Sequence, residues 1–174
     1  FIREGRAAGL AVLSDAELYQ AFDICYDYDI FDVFQDYLEG KVPLERYAQA
    51  VNAQETIYPD NYVKLRFLEN HDRARAAFLI PEGMALLSWT AFLYFQKGMT
   101  LLYAGQEAEC THRPSLFDKD QVAWHISEGA TRLLGTLAKL KQDPILTDSQ
   151  YEVKALPQDI LYAAHRKGDR QLVG

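Results

Sequence analysis

The chain has 174 residues, of which 49% are hydrophobic and 13% aromatic, so it carries enough apolar material for a globular core. Its formal net charge is -7 and no stretch concentrates Lys or Arg, which makes nucleic acids and anionic membranes poor candidates for partners. The longest uncharged apolar stretch, residues 84–95, is shorter than the roughly 20 residues that a bilayer-spanning helix needs.

The chain begins with a predicted helix and a predicted strand. A capping-box pattern at residues 14–17 predicts a short helix that continues to Ala21. Residues 22–29 then alternate with period two, which predicts a strand. This strand would place its three carboxylates on the face opposite to its apolar side chains: Asp23, Asp27 and Asp29. Two interpretations of this acidic face stay open, a solvated strand face or turn and the polar lining of a site.

Helices and buried strands alternate from residue 30 to residue 104. The spacing of apolar residues predicts helices, and short continuous apolar runs predict strands that are buried in a sheet. The predicted helices cover 30–40, a segment after Pro43 and 82–97, and the predicted strands cover 63–68 and 99–104. This alternation predicts right-handed βαβ units on a parallel sheet.

The last part of the chain has a different pattern. An irregular loop is predicted over 111–124, followed by an amphipathic helix from residue 126. Three antiparallel strands are predicted beyond this helix, over 151–156, 160–165 and from residue 171 onward. We therefore expect an α/β domain over 1–146 and the truncated start of a β domain over 147–174.

Four hydrogen-bonding side chains end the strand predicted over 63–68: Glu69, Asn70, His71 and Asp72. A second polar group, Gly105-Gln106-Glu107, ends the next predicted strand. In parallel α/β folds, functional residues lie at the carboxyl ends of the strands. The His-Asp pair has three alternative roles: metal binding, hydrogen bonding to sugar hydroxyls, and an Asp that only caps the following helix.

The histidines and cysteines argue against a metal site. A phosphohydrolase of the His-Asp type needs a histidine upstream of the pair, and His71 is the first histidine in the chain. The other three histidines show no HExxH or i,i+4 spacing. Cys25 and Cys110 lie far apart and lack CxxC spacing, so two buried free thiols are expected in place of a zinc site or a redox pair.

Three strand regions resemble the α-amylase family of glycoside hydrolases. Residues 67–72, Phe-Leu-Glu-Asn-His-Asp, resemble the seventh-strand motif of that family. Residues 98–107 resemble its eighth strand, which ends in a Gly-Gln-Glu turn, and residues 22–29 resemble its sixth-strand region. The helix from residue 126 and the β segment after residue 146 are similar to the eighth barrel helix and to the start of the family's C-terminal β domain.

This resemblance implies an α/β fold that comprises about strands 6 to 8 of a (β/α)8 TIM barrel. The family cleaves α-glucosidic bonds with retention of configuration, using a nucleophile and a general acid that end its fourth and fifth strands. Those strands are missing from this chain, so we expect an excised piece of a longer enzyme that is inactive alone. Self-association of the chain through open strand edges is a further expectation.

In this family a third carboxylate after the seventh strand binds sugar hydroxyls, and the resemblance assigns that position to Asp72. His71 would hydrogen-bond the same sugar ring. A charge-assisted bond of this kind strengthens as the ring flattens toward an oxocarbenium ion. Asn70, Glu107 and Arg75 are further candidates for substrate binding. Support of the site's floor is the alternative for Glu107. For Arg75 the alternatives are an ion pair with a carboxylate in the pocket and a solvated helix position, of which the solvated position is favoured.

The substrate implied is an α-glucan such as starch or a maltooligosaccharide. No cofactor is implied in this segment, although calcium binding elsewhere in the full-length protein fits the resemblance. Two alternatives to a hydrolase stay open: a transglycosylase or isomerase of the same family, and a non-catalytic carbohydrate-binding or interaction module on the same framework. An Asp that ends the fourth strand and a Glu that ends the fifth, in the upstream sequence, would distinguish an enzyme from a module.

Overall fold

Two three-stranded sheets organise the protein, whose structure is a computed structural model that describes residues 8–9, 14–126 and 128–174. The first sheet is parallel, and its strands lie in the order β1-β2-β3. The second sheet is antiparallel, in the order β4-β5-β6. The strands are β1 (Cys25–Tyr26), β2 (Lys64–Arg66), β3 (Met99–Thr100), β4 (Gln150–Leu156), β5 (Ile160–Lys167) and β6 (Arg170–Val173).

Helices connect the parallel strands, as the alternating pattern predicts. They are α1 (Asp15–Leu18), α2 (Tyr28–Leu38), α3 (Leu44–Ile57), α4 (Ala76–Leu79), α5 (Gly83–Phe95) and α6 (Glu128–Lys141), with short 3-10 helices at Gln106–Ala108 and Pro144–Leu146. The predictions of α2, α3, α5, α6 and the three antiparallel strands are confirmed. The capping box of α1 is also confirmed, because the Ser14 side chain accepts a hydrogen bond from the Glu17 N–H while the Glu17 carboxylate accepts one from the Ser14 N–H.

The prediction of a strand over residues 22–29 is wrong. Only Cys25–Tyr26 pair with β2, and helix α2 begins at Tyr28. The expectation of a solvated acidic face is wrong for Asp27, which is only 5% exposed, whereas Phe22 is 60% exposed. The physical reason is that the Asp27 carboxylate turns inward to a buried arginine of β2, and the chain bends there into the helix.

A charged cluster lies between the parallel sheet and helix α3. The Arg66 Nη1 atom lies 2.7 Å from Asp27 Oδ2, and it donates a hydrogen bond of 2.6 Å to Gln54 Oε1. The Lys64 Nζ atom lies 2.9 Å from Asp29 Oδ1. The Gln54 amide then donates to both aspartates, at 2.8 and 2.7 Å. Each buried charge therefore has an opposite charge and further hydrogen bonds, which offset the cost of its desolvation.

Burial and pairing act differently on the two carboxyl groups of this cluster. Burial raises the pKa of Asp27 to about 6, against the lowering effect of Arg66. Burial also raises the pKa of Asp29, but Lys64 and three hydrogen bonds outweigh it and hold that pKa below its ordinary value. Both carboxylates are therefore ionised at neutral pH, and both tie the start of α2 to strand β2.

The opposite face of the parallel sheet is only partly covered. The register places Tyr26, Leu65 and Met99 in one row across the three strands. In this row Tyr26 is 41% and Met99 is 44% exposed. The helix-covered face carries Lys64 and Arg66, which are fully buried. The apolar pattern of a strand does not predict that two of its charged side chains are buried. Their burial is favourable only because residues on neighbouring elements pair with them.

Aromatic side chains fill the layer between the sheet and its helices. The Phe31 ring of α2 stacks on Phe67, with centroids 5.0 Å apart, and Phe34 meets the Trp89 ring of α5 at 4.8 Å. The same core continues to the second sheet through Val153 of β4. Burial of each such large side chain contributes on the order of 2 kcal/mol. The core thus fixes α2 against the end of strand β2, where the polar residues begin.

Candidate functional site

The four polar residues after β2 form one buried pair and one exposed pair. Glu69 and Asn70 are each 1% exposed. The side chains of His71 and Asp72 are 47% and 54% exposed. The first two of these side chains are therefore placed to stabilise the fold, and a ligand can reach the last two.

Glu69 organises the segment that follows it. Its Oε2 atom accepts a hydrogen bond of 2.6 Å from the Ala76 N–H at the start of α4, and its Oε1 atom lies 2.5 Å from the Arg75 Nη1 atom. Burial raises the pKa of Glu69, while the Ala76 N–H and the Arg75 guanidinium oppose that rise. Since the N-cap residue of α4 is Arg75, the alternative that Asp72 only caps this helix is wrong.

Asp72 is held by two neighbours and open on one side. Its Oδ2 atom accepts a hydrogen bond of 2.9 Å from the Tyr28 hydroxyl, and its backbone N–H donates to the Asn70 Oδ1 atom at 2.9 Å. The Asn70 amide also donates to the Tyr28 oxygen, at 2.8 Å. Within residues 14–126 and 128–174, no hydrogen bond reaches Asp72 Oδ1. This oxygen can accept a hydrogen bond from a ligand.

His71 lies beside this carboxylate. Its Nε2 atom is 3.5 Å from Asp72 Oδ2. The exposed imidazole has a donor or an acceptor at each ring nitrogen, depending on its tautomer. The pair therefore presents one anionic acceptor and one versatile hydrogen-bonding group on the same exposed turn, an arrangement that suits a ligand with several hydroxyl groups.

Arg75 lies inside the protein. It is 1% exposed, and it donates hydrogen bonds to the carbonyl oxygens of His112 and Ala104 at 3.0 and 2.9 Å, in addition to its contact with Glu69. Its guanidinium also lies 4.8 Å from the centre of the Tyr103 ring. The favoured interpretation of Arg75 as a solvated helix residue is wrong, because Glu69 neutralises its charge in the interior.

Glu107 lies in the 3-10 helix after β3, and its carboxylate accepts a hydrogen bond of 2.8 Å from the Gly105 N–H. It also lines a small cavity, together with Glu69, Gln106 and side chains of α5 and α6. Strands β2 and β3 are parallel neighbours, so Asp72 and Glu107 follow the same end of adjacent strands. The structure shows no direct contact between these two carboxylates.

Other kinds of site find little support in the described part of the chain. Residues 14–126 and 128–174 contain no group of three or more His, Cys, Asp and Glu side chains that could hold a metal ion. Neither Cys25 nor Cys110 forms a disulfide, and Cys25 is buried whereas Cys110 is only half-buried, so the expected burial of the second thiol is wrong. No helix in the described ranges is long and apolar enough to span a membrane.

Solved structures show extensive similarity to the chain. The crystal structure of an α-amylase from Lactobacillus plantarum matches with a TM-score of 0.91 and 39% identity, covering 99% of this chain and 41% of that chain. A maltogenic α-amylase from Thermotoga neapolitana matches with a TM-score of 0.80 and 31% identity, covering 91% of this chain and 39% of that chain. The chain is related to the α-amylase family. This similarity confirms the relationship that the sequence motifs at the strand ends predicted.

A curated α-amylase family relative supports the same relationship at lower similarity. Alpha-amylase 2 from Dictyoglomus thermophilum is 25% identical over 91 residues, which is 52% of this chain and 16% of that protein. No protein-family model matches the chain. The chain spans about two fifths of the two solved α-amylases, at 41% and 39% of their lengths.

Tyr28 is the residue of this cluster at the end of β2 that the sequence did not reveal. The alternation of residues 22–29 predicted a strand, and a strand would have placed Tyr28 on its apolar face. In the structure, Tyr28 is the first residue of α2, and its hydroxyl lies between Asn70 and Asp72. A polar residue that reaches across 44 positions of sequence leaves no signal in local periodicity.

Proposed function

We propose that this chain comprises the C-terminal part, about strands 6 to 8, of the (β/α)8 barrel of a retaining α-glucan-active glycoside hydrolase, followed by the start of its C-terminal β domain. Asp72 is its third carboxylate, the one that stabilises the transition state. One observation carries this proposal: the exposed Asp72 carboxylate has one oxygen anchored by Tyr28 and the other open to a ligand, at the end of a parallel strand. The relationship to α-amylases supplies the reaction class.

The chemistry follows from the position and charge of this carboxylate. A hydroxyl of the bound sugar donates a hydrogen bond to Asp72 Oδ1, while His71 binds a neighbouring oxygen of the same ring. As the glycosidic bond breaks, the ring flattens and positive charge develops on it. A fixed anion attracts this cationic state more strongly than the neutral ground state, and the difference lowers the barrier. The nucleophile and the general acid come from strands 4 and 5 of the complete barrel.

The neighbouring residues support this carboxylate and do not need to touch the sugar. Asn70 is buried and uses both ends of its amide inside the protein, so we assign it the support of Asp72 and Tyr28. Arg75 holds Glu69 and the chain after β3. Glu107 accepts a hydrogen bond from the Gly105 N–H and so holds the turn after β3.

Product analysis of the natural protein that contains this segment tests the proposed function. Incubation with maltoheptaose, followed by proton NMR of the anomeric region, should first show reducing sugars in the α configuration. Release of β sugars would contradict retention, and absence of any turnover of maltoheptaose or starch would contradict an α-glucan hydrolase. Accumulation of oligosaccharides longer than the substrate would identify a transglycosylase of the same family instead.

A further inference from the structure

We propose that Tyr28 is the positioning residue of Asp72: its hydroxyl holds the Oδ2 atom of the carboxylate so that Oδ1 faces the sugar. This inference rests on the proposed role of Asp72 as the transition-state-stabilising carboxylate. The hydrogen bond of 2.9 Å between the two side chains joins the start of α2 to the end of β2, 44 residues apart in sequence. The carboxylate is otherwise exposed, so this bond restricts its rotation.

The direction of the hydrogen bond is set by Asn70. The Asn70 Oδ1 atom accepts from the Asp72 N–H, which leaves the amide nitrogen to face Tyr28. That nitrogen donates to the Tyr28 oxygen, so the single hydroxyl proton of Tyr28 is directed to Asp72. Burial and, to a smaller extent, the hydrogen bond to Asp72 raise the pKa of Tyr28, so the hydroxyl keeps its proton at neutral pH.

The Tyr28 ring is fixed by its neighbours. The Phe67 ring meets it edge-on at 5.1 Å, and the Tyr26 ring lies 5.5 Å away. The Arg73 guanidinium lies 5.4 Å from the centre of the Tyr28 ring. Arg73 also pairs with Asp32, which lies on α2 as Tyr28 does. These contacts orient the ring before any substrate arrives, and the hydroxyl therefore holds Asp72 at little additional entropic cost.

Two ion pairs fix the backbone on both sides of Tyr28. The preceding residue, Asp27, is paired with Arg66, and the following residue, Asp29, is paired with Lys64. Both cations belong to β2, the strand whose end carries Asp72. Strand β2 thus holds the segment that presents Tyr28, and Tyr28 in turn holds the residue that follows β2. The charged cluster therefore sets the position of the Tyr28 hydroxyl relative to Asp72.

Replacement of Tyr28 with Phe removes the hydroxyl and keeps the ring in place. In the natural protein, we expect Tyr28→Phe to lower kcat on maltoheptaose about 10-fold, the effect of losing one hydrogen bond to a charged group, with KM changed less than about 2-fold. Tyr37→Phe is the matched control, because it removes a hydroxyl from the other end of the same helix. It should keep the parental kcat, and both variants should remain folded at the assay temperature, although Tyr28→Phe should melt somewhat lower because the buried Asn70 amide loses an acceptor.

A double-mutant cycle with Asp72→Asn separates positioning from other roles. If Tyr28 acts through Asp72, the double variant Tyr28→Phe/Asp72→Asn should be no slower than Asp72→Asn alone. Losses that multiply would show that Tyr28 acts independently and would overturn the inference. Parental kcat in Tyr28→Phe, combined with a large loss in Asp72→Asn, would also overturn it and leave the proposed function intact. Near-parental kcat in Asp72→Asn would instead refute the role of Asp72 itself.

A crystal structure of the Tyr28→Phe variant provides a readout that does not depend on activity. We expect the Asp72 carboxylate to occupy more than one rotamer in this variant and a single rotamer in the parent protein. A single, unmoved Asp72 rotamer in the variant would show that Tyr28 does not position it.

Discussion

Glu69 and Asp72 are both carboxylates at the end of β2, and burial gives them different roles. Glu69 is 1% exposed, and it uses both oxygens within the protein. Asp72 has a side chain that is 54% exposed and one oxygen without a hydrogen bond in the described part of the chain. A carboxylate that is fully satisfied inside the protein stabilises the fold, whereas a partly satisfied carboxylate at the surface is available to a ligand.

The buried ion pair beside the site should contribute strongly to stability. Arg75→Met removes the charge opposite Glu69 and leaves that carboxylate buried without its cation. We expect the variant to lose about 3–5 kcal/mol in free energy of unfolding, measured by urea denaturation. Arg73→Met is the matched control, because Arg73 forms a more exposed contact with Asp32 at 3.4 Å and should contribute at most about 1 kcal/mol. Equal losses in the two variants would contradict this account.

At the scale of the elements, His165 joins the second sheet to the end of α5. The ring lies on β5, fully buried, with its Nε2 atom 2.8 Å from the Phe95 carbonyl oxygen and its Nδ1 atom 2.9 Å from the Ser149 hydroxyl. It also stacks on the Tyr151 ring at 4.5 Å. Since a carbonyl only accepts, Nε2 donates to it, and the neutral ring accepts from Ser149 through Nδ1.

This histidine should make stability depend on pH. Burial, with smaller contributions from Lys141 and Lys97, lowers the pKa of His165 from 6.5 to about 4. Below pH 6.5 the unfolded chain therefore binds a proton that the folded protein does not. The stabilisation from neutral His165 is fully present above pH 6.5 and is lost as the pH falls toward 4.

The measurement compares melting temperatures at pH 7 and pH 5. We expect the parent protein to lose more of its melting temperature over this interval than His165→Gln, which has no group that titrates at this position. His125→Gln serves as the control, because it removes an exposed imidazole outside this buried contact. An equal decrease in the parent and in His165→Gln would show that protonation of His165 does not limit stability.

Periodicity predicted the elements whose burial follows one face or one run of apolar residues. Helix α5 and strands β4 and β5 are of this kind, and their predicted positions agree with the structure within about three residues at each end. The strand prediction for residues 22–29 is wrong because Asp27 and Tyr28 are polar groups whose partners lie on distant elements. Their partners Arg66 and Asp72 lie 39 and 44 residues away, a separation that no local pattern reveals.

The strand-end motif at 67–72 was informative for a different reason. It identified Asp72 and His71 through a family resemblance, and the structure places both on an exposed turn beyond β2. The same resemblance grouped Asn70 with them, although Asn70 is buried. Sequence alone does not distinguish a polar side chain that a ligand touches from one that supports it, because both need the same chemistry at neighbouring positions.

At the scale of the whole molecule, the parallel sheet has open edges and a partly covered face. Among the described residues, β1 and β3 each pair with β2 on one side only. The row formed by Tyr26, Leu65 and Met99 is incompletely covered. Unpaired strand edges and exposed apolar side chains favour association with another chain or segment.

The 174-residue chain on its own should therefore associate and should lack glycosidase activity. It supplies Asp72 to bind a sugar but, in the proposed assignment, neither the nucleophile nor the general acid. Size-exclusion chromatography with light scattering should show masses above 19.9 kDa, and a chromogenic α-glucoside should remain intact. A monomer that cleaves the glucoside, and loses that activity with Asp72→Ala, would show that the catalytic carboxylates lie within this chain.

The rate of α-glucan hydrolysis by the Asp72→Asn variant of the natural protein tests the central claim most directly. Asparagine keeps the shape of the side chain and its bond to Tyr28 but lacks the negative charge, so folding should be preserved. We predict that kcat/KM on maltoheptaose falls by about 10²–10³ or more, because the cationic transition state loses its fixed anion. Asp36→Asn, which removes an exposed carboxylate of α2 away from the site, should keep the parental value. Near-parental kcat/KM in Asp72→Asn would contradict the account.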